Sequence, residues 1–294
     1  MRGAGAATTA AGDTTEALAE GTHNGHRSNG VDQSSNGAGT VATARARRFK
    51  LGSRQLARQG FITPQTPGSQ LALEIGSVKR ALLRRLDFFH RQGSNGAPGR
   101  SGHNVVLVTS AKSNDGKTFT AVNLALSLVL EEEISVLLID ADMYTSRVGA
   151  VLGLDARQGL SDRLQNPSLP LAQCLMREET LPLSVLPAGK RPRSVASLFG
   201  EREMAALMRE VATRYPDRLV IIDGPPLLAT AEASVLVPYA DQVVLVVSSG
   251  ATTPDLLTSA LDALGDDDKV SLVLNRSAEA FGGQPYDSYA RSGS

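Results

Sequence analysis

Gly116, Lys117 and Thr118 stand between two stretches of different apolar periodicity. Upstream runs Asn104-Val105-Val106-Leu107-Val108-Thr109-Ser110, and downstream Phe119 to Leu126 has helical spacing. A strand, a glycine-containing loop, Gly-Lys-Thr and then a helix form the order of a phosphate-binding P-loop. Backbone N–H groups of such a loop turn inward, and the helix N-terminus adds partial positive charge for a polyphosphate. Lys117 is expected to reach the β- and γ-phosphates and the Thr118 hydroxyl to bind Mg²⁺. Ala111 opens the loop where glycine is usual. The nucleotide-contacting candidates are Ala111, Lys112, Ser113, Asn114, Asp115, Gly116, Lys117, Thr118 and Phe119.

Carboxylates supply the metal side of that chemistry. Asp140-Ala141-Asp142 ends one apolar run, and Asp223 ends another just before Gly224-Pro225-Pro226. Alternation along a strand points Asp140 and Asp142 to one side if the strand continues that far. Mg²⁺ takes oxygen ligands and is held by few carboxylates plus substrate phosphates. A further carboxylate can accept a proton from an attacking hydroxyl. Thr118, Asp140, Asp142 and Asp223 are therefore the metal candidates, with Lys117, Asp140 and Asp142 as catalytic candidates.

These residues need a scaffold that gathers strand ends. Strands are expected at Val105–Thr109, Ile134–Asp140, Leu183–Pro187, Leu219–Asp223, Val243–Val247 and Val270–Leu274. Helices are expected at Thr118–Leu130, Glu201–Tyr215, Glu232–Val237 and Pro254–Leu264, with shorter pieces at Leu160–Leu164 and Leu171–Glu178. Nearly continuous apolar strands alternating with helices predict an α/β fold, a mainly parallel sheet with helices on both faces. Ligands bind such sheets at the carboxyl ends of the strands. Asp140, Asp223, Asn275 and the loop after Thr109 all fall there.

Composition divides the 294 residues. Residues 1–50 hold five large apolar side chains, Met1, Leu18, Val31, Val41 and Phe49, too few to offset the entropy of ordering. Residues 1–60 are read as a disordered basic tail and 61–92 as a helical N-terminal extension. Residues 93–103 form a linker, 104–276 the P-loop domain, and 277–294 a flexible tail. In the extension, Leu71, Ile75, Val78, Leu82, Leu86 and Phe89 recur at helical steps and predict packing on the main domain. The net charge is zero, but residues 1–103 carry 14 Lys/Arg against 6 Asp/Glu and the remainder 16 against 24. A basic front suits an acidic partner surface such as anionic lipid or protein, and no nucleic-acid partner is expected. Cys174 is the single cysteine, which excludes an intrachain disulfide and fits a reducing cytoplasm. No signal core or bilayer-length apolar run is present. The expected location is therefore cytoplasmic, with any membrane link made through a partner or surface contact.

Val108–Ala125 resembles the first motif of the bacterial tyrosine kinases, the BY-kinase family. Leu137-Leu138-Ile139-Asp140-Ala141-Asp142 resembles its Walker A′ motif, and Val220-Ile221-Ile222-Asp223-Gly224-Pro225-Pro226 its Walker B. Leu186–Gly189 and Ala240–Val247 fall where that family has similar segments. The resemblance covers about residues 60–276 and is strongest to autokinases encoded with exopolysaccharide and exosortase systems. Partitioning and division-site ATPases share the three motifs. It implies ATP and Mg²⁺ as cofactors, and transfer of the γ-phosphoryl group to tyrosine. It implies that Asp140 contacts the metal and helps activate the tyrosine hydroxyl, and that Asn275 contacts adenine. It also implies a membrane partner, an inner-membrane polysaccharide chain-length regulator, and a possible homo-oligomer.

The sequence departs from that family in four places, one of them Thr145-Ser146 where Arg-Pro often follows the second aspartate of Walker A′. Its loop has Ser113-Asn114-Asp115 where Pro-Gly-Glu is usual, and Asn114 can replace glycine because Asn tolerates left-handed backbone angles. The family's Glu-x-x-Arg-x-x-Arg oligomerisation motif aligns with Leu73, Gly76 and Lys79 and is largely lost from this chain. Its C-terminal tail holds two tyrosines, Tyr286 and Tyr289, as phosphoacceptor candidates instead of a cluster. Two rival readings follow from the residues. One is an ATP-binding regulator that switches its partner's assembly without phosphorylating it. The other is a positioning ATPase, suggested by Lys112 at the place of the extra lysine of partitioning-type loops.

Overall fold

The computed structural model describes residues 46–88, 104–130, 134–195, 198–265 and 267–277. The expected linker at 93–103, the tail with Tyr286 and Tyr289, and residues 1–45 lie outside the described residues.

Eight strands form one sheet in the order β1-β4-β5-β3-β6-β2-β7-β8. They are β1 Arg47–Phe49, β2 Val105–Ser110, β3 Ser135–Asp140, β4 Met176–Glu178, β5 Leu183–Leu186, β6 Arg218–Asp223, β7 Gln242–Ser248 and β8 Val270–Asn275. From β5 to β8 every neighbouring pair is parallel. The β1–β4 pair is parallel as well, but β4 runs antiparallel to β5. The helices are α1 Ser53–Arg58, α2 Gln70–Arg85, α3 Lys117–Val129, α4 Arg147–Leu152, α5 Leu160–Gln165, α6 Leu171–Cys174, α7 Glu201–Arg214, α8 Glu232–Leu236 and α9 Pro254–Leu264.

The period of two along each strand feeds two cores. Leu107, Leu137, Ile139, Val220, Ile222 and Val243 face a core shared with α5, α7, α8 and α9. Val106, Val108, Val136, Leu138, Leu219 and Ile221 face one shared with α2, α3 and α4. Burial on both sides explains why these strands are almost uninterrupted apolar runs. The mainly parallel sheet with helices on both faces is the expected architecture. No helix among the described residues is long and apolar enough to cross a membrane.

Helix α2 starts where Ser69 caps it, accepting from the Ala72 N–H at 3.2 Å. Leu82, Leu83, Leu86 and Phe88 bury themselves in the α3-side core, and the Lys79 ammonium donates to the Ser127 carbonyl at 3.3 Å. The helix thus packs on the main domain.

Two expectations are corrected. Residues 46–60 belong to the fold and not to the basic tail. Phe49 and Leu56 are buried, β1 pairs with β4, and the Leu51 N–H donates to Glu178 at 3.2 Å. Two apolar anchors in an otherwise basic stretch leave no readable period. The helical piece expected at 171–178 splits. Leu175 turns extended after α6, and residues 176–178 become β4, whose backbone groups pair with β1 on one side and β5 on the other.

Candidate functional site

Loops at the carboxyl ends of β2, β3 and β6 are stitched into one floor. The Gly224 N–H donates to the Val108 carbonyl at 2.9 Å, Leu227 to Ser110 at 2.8 Å and Ala141 to Asp223 at 2.9 Å. The Thr109 hydroxyl donates to the Pro225 carbonyl at 2.7 Å. The phosphate loop rises from this floor. Asn114 adopts φ 69° and Gly116 φ 103°, so asparagine takes a left-handed position as expected. A Cβ on Gly116 would run into the Asn275 amide. Asp115 is buried and accepts the Lys112 N–H at 3.2 Å, pinning the loop from inside. The Lys112 ammonium lies 4.0 Å from the same carboxylate and stays partly exposed.

Ala111, Asp115, Lys117 and Thr118 are buried, while Ser113 and Asn114 are exposed at the loop's rim. A cleft of about 190 Å³ opens over the loop, with Ser113, Asn114, Gly116, Lys117, Thr118 and Phe119 on its wall. Asn275 closes the loop rather than standing apart from it, its amide donating to the Asp115 carbonyl at 2.9 Å.

The carboxylates gather beneath Lys117. Parallel register sets Asp140 directly beside Asp223. Both are buried. Burial, then the neighbouring Asp223 and Asp142 charges, hold Asp140 well above the ordinary carboxylate range against the Val148 N–H and Lys117. Burial pushes Asp223 up to about 6, with Asp142 adding to it, while Lys117, Thr118 and Arg147 hold it back. The Thr118 hydroxyl acts on Asp223 only by proximity, because neither Asp223 oxygen makes a hydrogen bond of good geometry.

Asp142 differs. Burial raises it, but the Lys117 ammonium at 2.5 Å outweighs that, together with the Thr145 hydroxyl at 2.8 Å and N–H at 3.1 Å. Asp142 is therefore held below the ordinary value. Lys117 is committed to Asp142 in this structure.

Asp140 Oδ1 and both Asp223 oxygens are buried with no hydrogen-bond partner. Orphaned buried carboxylate oxygens are costly unless something binds them, so this donor set fits a hard divalent cation. The residues that would hold Mg²⁺ are Thr118, Asp140 and Asp223, with Asp142 engaged by Lys117.

Several site residues escaped the sequence reading. Phe61, Thr145, Arg147, Val151 and Arg276 also line the cleft. The Arg147 guanidinium donates to Asn114 at 3.2 Å. Phe61 packs its ring at a tilt against Phe119 with ring centroids 5.2 Å apart, and the neighbouring Ile62 N–H donates to buried Asn123 at 2.8 Å. Tyr144 donates its hydroxyl to buried Glu232 at 2.9 Å, tying the loop after β3 to the segment after β6. The available signal for Arg147 was its position five residues after Asp142, at the start of the helix that follows a metal-side strand.

Residues 101–257 match the family model described as "ParA: NUBPL iron-transfer P-loop NTPase". Tyrosine-protein kinase YwqD of Bacillus subtilis is 36% identical over 159 residues, covering 54% of this chain and 65% of YwqD. Tyrosine-protein kinase wzc of Salmonella typhi is 31% identical over 169 residues, covering 58% of this chain but 22% of wzc. The chain thus spans less than two thirds of either relative. Among solved structures, the VpsO kinase domain superposes with a TM-score of 0.58 at 26% identity, covering 70% of this chain and 95% of that one. The kinase domain of Escherichia coli tyrosine kinase ETK gives 0.54 at 23% identity, covering 70% and 79%, and shares the fold. A family match across more than half the chain, on a sheet whose strand ends carry the P-loop and its carboxylates, settles the assignment: the chain belongs to the ParA family of P-loop NTPases and is similar, within that fold, to bacterial tyrosine-protein kinases.

Proposed function

We propose that this protein is a tyrosine autokinase that transfers the γ-phosphoryl group of ATP to tyrosine hydroxyls, with Tyr286 and Tyr289 among its acceptors. The observation that carries this reading is the Lys117–Asp142 pair set over three partnerless carboxylate oxygens of Asp140 and Asp223, in a chain whose relatives are named tyrosine-protein kinases. Lys117 leaves Asp142 to bind the β- and γ-phosphates, and the loop N–H groups cradle them. When bound, Mg²⁺ neutralises charge on the transferred phosphoryl group. Asp140, whose proton affinity burial has raised, accepts the proton of the incoming tyrosine hydroxyl. We place the protein on the cytoplasmic side of the inner membrane, acting with a polysaccharide chain-length regulator as its partner in exopolysaccharide synthesis or export.

The test is incubation of the purified chain with Mg-ATP, followed by mass spectrometry of residues 277–294. Phosphotyrosine at Tyr286 or Tyr289, lost in Lys117→Met and reduced in the paired Tyr→Phe variant, is expected. Tight Mg-ATP binding without phosphotyrosine, even with the regulator's cytoplasmic segment present, overturns the kinase reading. The ParA family match favours a second reading in that event, an ATP-driven switch of the partner's assembly. That switch predicts ATP turnover stimulated by the partner and full cellular function without the two tail tyrosines.

A further inference from the structure

A second cleft opens at the same end of the sheet as the nucleotide site, beyond β5. Because β4 runs against β5, the pairing of Met176 with Val185 and of Arg47 with Met176 brings the start of β1 to the carboxyl end of β5. The cleft there encloses about 540 Å³ and is lined by Arg47, Arg157, Gln158, Gln173, Met176 and Lys190. Three of these six are cations. Arg47 reaches Asp155 at 3.6 Å, but that carboxylate is 87% exposed, so the contact is weak. Arg157 and Lys190 form no ion pair among the described residues.

The backbone beneath these side chains is fixed. The Lys190 N–H donates to the Asp162 carboxylate at 3.3 Å, and the Lys190 carbonyl accepts the Ser161 hydroxyl at 2.6 Å. The Gly159 N–H donates to the same Asp162 oxygen at 2.9 Å. A Cβ on Gly159 would collide with the Pro187 carbonyl and the Gly189 backbone, so the two loops are in direct contact. Asp162 is thus spent on backbone donors of the cleft's walls. Three cations thus stand beside two carboxylates, exposed Asp155 and Asp162, and the concave site holds an excess of one positive charge on a preformed frame.

We propose that this cleft binds a phosphomonoester dianion. Such a group carries close to two negative charges near neutral pH and three acceptor oxygens. The Arg47 and Arg157 guanidinium forks match it in pairs. Lys190 adds a point charge, and the Gln158 and Gln173 amides can donate to the remaining oxygens. Buried Met176 gives an adaptable apolar floor for the carbon body of the ester. Concavity and the two amides fit a single compact group better than a flat lipid surface. The assignment stands whether or not the chain transfers phosphate.

The full-length chain, held with saturating Mg-ADP so that the phosphate loop is occupied, is titrated with O-phosphotyrosine and followed by amide NMR shifts. Shifts are expected at Gly159, Gln173 and Lys190, and none with tyrosine. Arg157→Gln and Lys190→Gln are each expected to weaken binding about fivefold, as loss of one partly exposed charge contact of about 1 kcal/mol implies. Raising salt weakens it further. Both positions are exposed, so the variants keep the fold. Shifts confined to residues 113–118, or affinity unchanged in both variants, overturn the proposal. So does capture by phosphatidylglycerol vesicles that is lost in both variants while soluble phosphotyrosine shifts nothing, which assigns the surface to membrane.

Discussion

The Lys117–Asp142 pair gives the sharpest test of the site. Both side chains are nearly inaccessible, at 7% and 2%, and the charged atoms are 2.5 Å apart. Removing one partner of a buried pair leaves an uncompensated charge and costs about 3–5 kcal/mol. Lys117→Met strands Asp142 in this way. It also removes the ammonium that offsets Asp140 and Asp223, so the upper half of that range is expected. Asp142→Asn is milder. The amide oxygen still accepts the Tyr144 and Thr145 N–H groups that Asp142 Oδ1 accepts now, and Lys117 can turn to the two remaining carboxylates. A loss of about 1–2 kcal/mol is expected, that of a charge-assisted hydrogen bond. With both substitutions, no buried charge at position 142 lacks a partner. The double variant should sit near 3 kcal/mol, giving a coupling energy of about 3 kcal/mol.

Urea denaturation of the four proteins at pH 7.5 without nucleotide measures the cycle. Unfolding slopes must agree across the set, so that midpoints report stability alone. Additivity within about 0.5 kcal/mol would refute the pair as a buried interaction, because sites without a shared partner add to that precision. The nucleotide reading adds a second requirement. Saturating Mg-ATP should raise the midpoint of the wild type and of Asp142→Asn, and leave both Lys117→Met proteins unmoved.

Two further predictions rest on the same floor. Asp140 and Asp223 are raised in the fold, so their ionisation opposes folding. Their favourable contribution is complete below the unfolded value near 4 and is lost as pH rises above it, for Asp223 through about 6. Without nucleotide the urea midpoint should therefore be higher at pH 5 than at pH 7.5. Asp223→Asn should flatten that difference by about 1.4 kcal/mol, the part of a displacement from 3.8 to about 6 that titrates between pH 5 and pH 7.5. Asp142, held low, contributes equally at both pH values and loses its contribution only below pH 4. Gly116→Ala meets the Asn275 amide and a left-handed backbone at once. It should lower Mg-ATP affinity by at least tenfold in calorimetry, and Gly116→Ala with Asn275→Ala should recover part of it by removing the collision but not the strain of about 1–2 kcal/mol.

The parts of the site legible in sequence were those whose chemistry and position coincide along the chain. Gly116-Lys117-Thr118 announces itself between a strand and a helix, and Asp140 and Asp223 each close an apolar run. Parallel register then places those two side by side without further information. The Lys117–Asp142 pair was not legible, because strand alternation says that Asp142 shares a side with Asp140 but not which carboxylate the lysine chooses. The Thr145 hydroxyl and N–H decide it by fixing Asp142 first. The Asn275 amide holds the Asp115 carbonyl, a contact 160 positions away in sequence that no local pattern encodes. The edge was the least legible part, since β1 has three residues and its partner β4 looked helical until an extended Leu175 broke α6.

The same long-range contacts change what the N-terminal segment is for. Its apolar period predicts only that α2 packs somewhere. In the fold, three separate ties run from this segment to α3, the helix that begins at Lys117. Ile62 donates to Asn123, whose own amide returns to the Phe119 carbonyl at 3.0 Å. Phe61 packs its ring at a tilt against Phe119 at the mouth of the cleft. Lys79 caps the Ser127 carbonyl in the last turn of α3. A helix held at its first, second and last turns has little freedom to translate, so the phosphate loop that it anchors inherits a fixed floor. The segment before residue 104 is therefore part of the phosphate site's support. The mobile choice left to the site lies in the side chain of Lys117, between Asp142 and a phosphate.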